Sequence, residues 1–330
     1  MKWDKQLNSA LKAADGSDPK GLSLPATVSA RDLQNLQFPP VSWIVKDLIP
    51  EGLSILAGKP KLGKSWLALQ IGQAVAGDHE VLGRPVLGGT VLYAALEDNL
   101  RRLKSRLVKT NQEKSDWPEA LHFATEWPKL DQDGLENFGT WLDQWPDTRL
   151  LIIDTLATVR PSGGSKDSQY QSDYGALRGL HRLANDCGIG VLVVHHVRKA
   201  DADDPFDTVS GSTGLTGAAD TTLILTRNTD GSVLYGRGRD LSETEMAVDF
   251  DLTTCLWSDL GLPCDVFGSN TRKAIRAALK DGHQSPQEIT EATGLDYDLC
   301  AKTLQRMAEG GEIQKGGRGR YRPTPDPDCP

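Results

Sequence analysis

Gly58, Gly63, Lys64 and Ser65 stand in the spacing GxxxxGK[ST] within Gly58-Lys59-Pro60-Lys61-Leu62-Gly63-Lys64-Ser65. Glycines let a backbone curl so that successive N–H groups point inward, and a helix starting at that point adds the positive end of its dipole. Such a cradle suits the phosphates of a nucleoside triphosphate. The lysine neutralises β- and γ-phosphate charge, and the serine hydroxyl is placed to ligate Mg²⁺. The flanking residues fit. Leu53–Ala57 is a β-rich run before the loop, and Trp66–Gln70 opens a helix after it.

Two carboxylates are candidates to complete the chemistry. Asp154 ends the apolar run Leu150-Leu151-Ile152-Ile153, the presentation expected of a second acid on the Mg²⁺ side. Glu97 follows the strand-like run Val91–Leu96, at the end of a strand that would face a ligand crevice, where a carboxylate can deprotonate an attacking water. The competing reading has Glu97 and Asp98 pairing with Arg101 and Arg102 on the next helix, with Asp98 as the helix-start residue.

These residues need a scaffold. From about 41 to 260, strand candidates (53–57, 90–95, 150–154, 190–195, 221–226, 233–236, 246–250) alternate with helix candidates (65–76, 99–110, 135–144, 170–187). Alternation implies βαβ units and a mostly parallel sheet, and the last strands, with no helix between them, imply an antiparallel extension. Residues 1–40 read as an arm and linker, with Trp3, Leu7 and Leu11 at helical spacing. The chain of 330 residues is 38% apolar with a net charge of −8, so a core is feasible and nucleic-acid binding must rest on local patches. Five scattered cysteines, no signal-like N-terminus and no apolar run of about 20 residues point to a cytoplasmic protein without a membrane span.

The segments EGLSILAGKPKLGKS, VLYAALEDNLRRLKSRL, LLIIDTL, VLVVHHVRK and GSTGLTGAAD, in this order, resemble the RecA-type P-loop ATPase core over about residues 41–252. Within it they are most similar to the RepA-like hexameric replicative helicases of plasmids and phages, AAA-family ATPases. The resemblance implies ATP and Mg²⁺ as cofactors. It makes Gly58–Ser65 the Walker A loop, Asp154 the Walker B acid and Glu97 the catalytic glutamate. His196, at the end of a strand, becomes the γ-phosphate sensor, with His195 turned away by alternation. Arg237 or Arg239 in YGRGRD becomes a finger inserted into the neighbouring subunit's site. A loop at about 198–213, and a second at 160–170, would face single-stranded DNA. Arg198 and Lys199 suit that role, whereas Asp201, Asp203, Asp204 and Asp207 oppose it, leaving the backbone of Gly211–Gly214 as an alternative contact.

Residues 268–325 change pattern. Helices are expected over 271–281, 285–293 and 297–309, the second opened by Ser285, Pro286 and Glu288, followed by a hairpin around Gly316–Gly319. The layout resembles a winged helix-turn-helix. Residues 300–322 hold six basic side chains against two acidic ones, which suits duplex DNA, with a replication protein as the alternative partner. Residues 326–330 read as a disordered tail. The expectation is therefore an α/β chain: a RecA-like core plus a small C-terminal domain, acting as a homo-oligomeric, hexameric DNA helicase. A RecA/RadA-type recombination or repair ATPase and an ATP-switched DNA-binding regulator are the rivals.

Overall fold

The computed structural model describes residues 27–38, 40–112, 116–161, 166–197, 204–209, 217–228, 231–267, 270–317 and 319–324. The chain divides into two compact units, residues 1–42 and 43–330. In the first, α1 (Ala30–Gln34) is one short helix capped by the Ser29 side chain on the Asp32 N–H. Trp3, Leu7 and Leu11 lie outside the described residues.

The second unit opens with a small hairpin, β1 (Trp43–Val45) and β2 (Ile49–Pro50). The main sheet then begins: β3 (Gly52–Gly58), α2 (Lys64–Ala76), β4 (Thr90–Ala95), α3 (Leu100–Thr110), β5 (Leu121–Ala124) and α4 (Gly134–Gln144). It continues with β6 (Thr148–Asp154), α5 (Leu156–Val159), α6 (Lys166–Cys187), β7 (Gly190–His196), β8 (Thr221–Arg227), β9 (Ser232–Gly238), β10 (Thr244–Phe250) and β11 (Trp257–Gly261). The strand order is β11-β10-β9-β8-β3-β7-β6-β4-β5. Strands β8, β3, β7, β6, β4 and β5 are parallel, and β9 to β11 add to them antiparallel.

The parallel strands read as continuous apolar runs because both faces are covered. Alternation divides each strand between two cores. Leu56, Leu150, Ile152, Leu192 and Val194 pack with α2 and α3 on one side. Ile55, Leu151, Ile153, Val191 and Val193 pack with Phe138, Leu177 and Leu180 on the other. The edge strands β5 and β11 were not expected from the sequence. β5 has four half-buried residues, and β11 buries Trp257 alone, so neither carries a strong period-two signal.

Two connections differ from expectation. The segment 160–170 is not one loop, because α6 already begins at Lys166. In the segment 198–213, Pro205–Val209 form a 3₁₀ turn that buries Phe206 and Val209. Asp204 starts that turn by accepting the Phe206 N–H at 2.8 Å, a local bond that competes with an open loop. Residues 162–165, 198–203 and 210–216, with Arg198, Lys199, Asp201, Asp203 and Gly211–Gly214, lie outside the described residues.

After β11 come α7 (Pro263–Val266), α8 (Asn270–Lys280), α9 (Pro286–Thr293), α10 (Tyr297–Glu309) and the hairpin β12 (Ile313–Gly317) and β13 (Arg320–Pro323). Ser285 and Glu288 form a full capping box with Pro286 in the first turn of α9. Ile275, Leu279, Ile289, Cys300, Leu304, Met307 and Ile313 form a third core of their own. The hairpin is tied back by the Tyr321 N–H, which donates to the Gln284 carbonyl at 2.8 Å. Arg318 and residues 326–330 lie outside the described residues.

Candidate functional site

The C-terminal ends of β3, β7, β6 and β4 are successive neighbours in the sheet, so Gly58, His196, Asp154 and the segment leading to Glu97 share one rim. This is the crevice side of an open α/β sheet. Gly58 pairs with His196 in register, and Ala95 with Asp154.

The loop Gly58–Ser65 turns into α2 through Gly63, the N-cap residue, at φ +98°, a conformation that favours glycine. A Cβ on Gly63 would also meet the Trp257 ring at 2.9 Å. Trp257 donates its indole N–H to the Gly63 carbonyl at 3.2 Å, and the Gln70 side chain holds the Trp257 backbone at both N and O. An edge strand thus braces the loop from outside. The sequence carries no local signal for that contact.

Lys64 is 3% exposed. Its ammonium donates to the carbonyls of Gly58 at 2.8 Å and Lys59 at 3.0 Å, and lies 3.1 Å from His196 Nδ1. Burial lowers its pKa to about 8, against the opposing pull of Asp154 and Glu97. Burial and Lys64 together lower His196, so its ring is neutral and Nδ1 accepts from the lysine. Burial holds the pKa of the neighbouring His195 at about 4, with Arg160 acting in the same direction.

Asp154 is buried and its Oδ2 accepts from the Tyr93 hydroxyl at 2.8 Å. Its Oδ1 is buried without a hydrogen-bond partner among the described residues. Burial pushes its pKa up from the ordinary value, and the hydroxyls of Ser65 and Tyr93 act against that. A bare carboxylate oxygen near a serine hydroxyl is a hard-oxygen set that fits a nucleotide-bound Mg²⁺. Ser65 and Asp154 are the side chains that would hold it.

Glu97 accepts from the Thr155 hydroxyl at 2.9 Å. Asp98, with its side chain 8% exposed, takes two of the three arginines of α3: Arg102 at 2.8 Å and Arg106 at 2.7 Å. Arg106 also lies over the Trp66 ring, beside the phosphate loop. The pairing considered for both acids thus falls to Asp98, with Arg106 in place of Arg101.

Arg237 and Arg239 are not brought to this rim. Arg237 is in register with Thr222 and Ile55, three residues before Gly58, or about 10 Å along the strand. Arg239 lies farther still toward that opposite end, beyond Gly238. Arg237 is held by Asp204 at 3.0 Å, Glu243 at 2.6 Å and the Phe206 ring at 4.0 Å. Arg239, 59% exposed at its side chain, pairs with Asp220 at 3.0 Å. Among the described residues no cluster of His, Cys, Asp and Glu suits a protein-held metal, and no helix is long and apolar enough to cross a membrane.

A family model described as an AAA domain matches residues 19–202. No curated protein matches the chain. Among solved structures, the chain is similar to the "ATPase Domain of G40P", at 15% identity and a TM-score of 0.51, over 64% of this chain and 85% of that one. It is also similar to a structure titled "The Structure Of A DnaB-Like Replicative Helicase And Its Interactions With Primase", at 14% identity and a TM-score of 0.51, over 63% of this chain and 58% of that one. At these identities the likeness is one of fold, and the fold is RecA-like. With more than half of its length under one family model, and a mostly parallel RecA-like sheet presenting the phosphate loop at its rim, the chain belongs to the AAA domain family of ATPases.

Proposed function

We propose that the protein is a ring-forming, ATP-driven DNA helicase that hydrolyses ATP between subunits and moves on single-stranded DNA. Gly58–Ser65 holds the phosphates, Lys64 neutralises them, and Ser65 with Asp154 holds Mg²⁺, which supplies Lewis-acid charge stabilisation when bound. Glu97 activates the attacking water, oriented by Thr155. His196 reports on the γ-phosphate through Lys64.

The observation that carries the assembly is the placement of Arg239. It is exposed and lies at the end of the sheet away from its own phosphate rim, so an arginine acting on a transition state must act on a neighbour's. Between the two candidates, Arg237 is fixed by two carboxylates and an aromatic ring, whereas Arg239 has one carboxylate to leave. Arg239 is therefore the finger and Arg237 the residue that shapes its strand. Residues 41–260 form the motor and 268–325 a winged helix-turn-helix. Its exposed Lys302, Arg306, Lys315, Arg320 and Arg322 face duplex DNA.

The test is single-stranded-DNA stimulation of ATPase activity, coupled to displacement on a forked duplex. Stimulation with displacement is expected. ATPase activity with no displacement on any fork would remove the helicase reading. One observation favours the second reading, an ATP-switched DNA-binding regulator: β11 braces the phosphate loop through Trp257 and runs directly into α7 and the C-terminal helices. In that case nucleotide would change duplex affinity without strand displacement.

A further inference from the structure

Tyr93 lies on β4, four residues before Glu97, and is 1% exposed. Its ring packs against Phe123 at 5.7 Å. A phenol this deeply buried needs a polar partner for its hydroxyl. That partner is Asp154 Oδ2 at 2.8 Å, and the Ser65 carbonyl lies 3.3 Å from the same hydroxyl. One side chain thus spans the phosphate loop and the acid at the end of β6.

The consequence for Asp154 is asymmetric. Its Oδ2 is occupied, while Oδ1 is left bare although it is equally cut off from water. A carboxylate can rotate and exchange its oxygens. A hydrogen bond to one oxygen fixes the rotamer and assigns the other to a different ligand. Outer hydrogen bonds of this kind orient metal-binding carboxylates.

We infer that Tyr93 is a positioning residue for the divalent cation of the nucleotide site: its hydroxyl engages Asp154 Oδ2, so that Oδ1 faces the cation together with the Ser65 hydroxyl. The inference rests on the proposed nucleotide site. Tyr93 touches neither nucleotide nor cation, and acts through Asp154 alone.

Tyr93→Phe removes one oxygen and keeps the ring. The readout is the affinity of a fluorescent ATP analogue measured in EDTA and across a Mg²⁺ titration, with Mn²⁺ binding by electron paramagnetic resonance in the presence of nucleotide. In the variant, EDTA affinity is expected within about twofold of wild type, while half-saturating Mg²⁺ and Mn²⁺ rise by roughly 10- to 100-fold. Phe123→Leu, which disturbs the same packing but keeps the hydroxyl, is expected to lower the melting temperature and leave the Mg²⁺ titration in place. An unchanged half-saturation in Tyr93→Phe, or equal losses with and without Mg²⁺, would overturn the inference. Should the variant not fold, the wild type labelled with ¹³C-tyrosine still decides. A tyrosine infrared band that moves on adding Mg²⁺ to the nucleotide complex supports the inference, and an unmoved spectrum rejects it. Failure of the underlying site looks different: there, wild type itself would show no Mg²⁺-dependent nucleotide binding.

Discussion

His196 Nδ1 stands 3.1 Å from Lys64 Nζ, which ties the end of β7 to the phosphate loop across 132 residues of sequence. The same ammonium donates to the Gly58 and Lys59 carbonyls, so the lysine is engaged by its own loop. In the proposed nucleotide site, a phosphate that drew the lysine away from those carbonyls would also break or reshape its bond to His196. Under the proposed function, a change at the phosphates would be passed to the end of β7 through this one imidazole.

Lys64 is expected to make nucleotide binding depend on pH in an alkaline window. In the free protein its pKa is about 8, below the ordinary 10.5. Binding phosphates requires the charged amine, which the phosphates then stabilise. Well below pH 8, by about pH 7, the amine is almost fully charged and affinity is expected to be flat. Above it, binding must take up a proton, so affinity falls as pH rises, by roughly 10- to 30-fold between pH 7 and 9.5. Titration of a fluorescent nucleotide in EDTA measures this. Lys64→Arg is expected to flatten the profile, and Lys64→Ala to abolish productive binding.

Glu97 and Asp98 are expected to separate chemistry from architecture. Glu97→Gln is expected to keep ATP binding and lose hydrolysis by ~10²-fold or more. Asp98→Asn breaks the ion pairs to Arg102 and Arg106 and is expected to cost about 1–3 kcal/mol of stability with hydrolysis largely retained. Melting curves and steady-state ATPase rates on both variants check the pair. The opposite pattern would move the base to Asp98.

Complementation tests the finger in trans. Glu97→Gln and Arg239→Ala are each expected to be inactive alone. Mixed, some interfaces join an intact Glu97 to an intact Arg239 and part of the ATPase activity returns. Arg237→Ala instead is expected to lower the melting temperature, because it frees Asp204 and Glu243 and uncovers Phe206. A rate strictly linear in protein concentration, with a monomer by light scattering under ATP and DNA, contradicts the assembly.

The C-terminal hairpin is testable by salt. Replacing Lys315, Arg320 and Arg322 with alanine is expected to spare basal ATPase activity and to weaken duplex binding. The plot of log affinity against log salt flattens by about 0.9 for each phosphate that is no longer neutralised. Identical slopes before and after would assign the module to a protein partner.

The phosphate loop was legible because its conformation is local. Gly63 at positive φ, a β-rich run before it and a helix start after it are near-neighbour properties, and so are the Ser285 capping box and the span of α10. The alternation of strands with helices also implied the parallel sheet, since each amphipathic helix must cover a face. Other features depended on which strands became neighbours. The order β3-β7-β6-β4 brings Tyr93 to Asp154 and Lys64 to His196. Asp98, rather than Glu97, took the arginines because α3 carries Arg102 and Arg106 past Asp98. Trp257 reached Gly63 across 194 residues because the strands β10 and β11 bring their aromatic side chains against the start of α2. Strand order is chosen by burying both faces of a whole sheet at once, a long-range sum that no window of sequence contains.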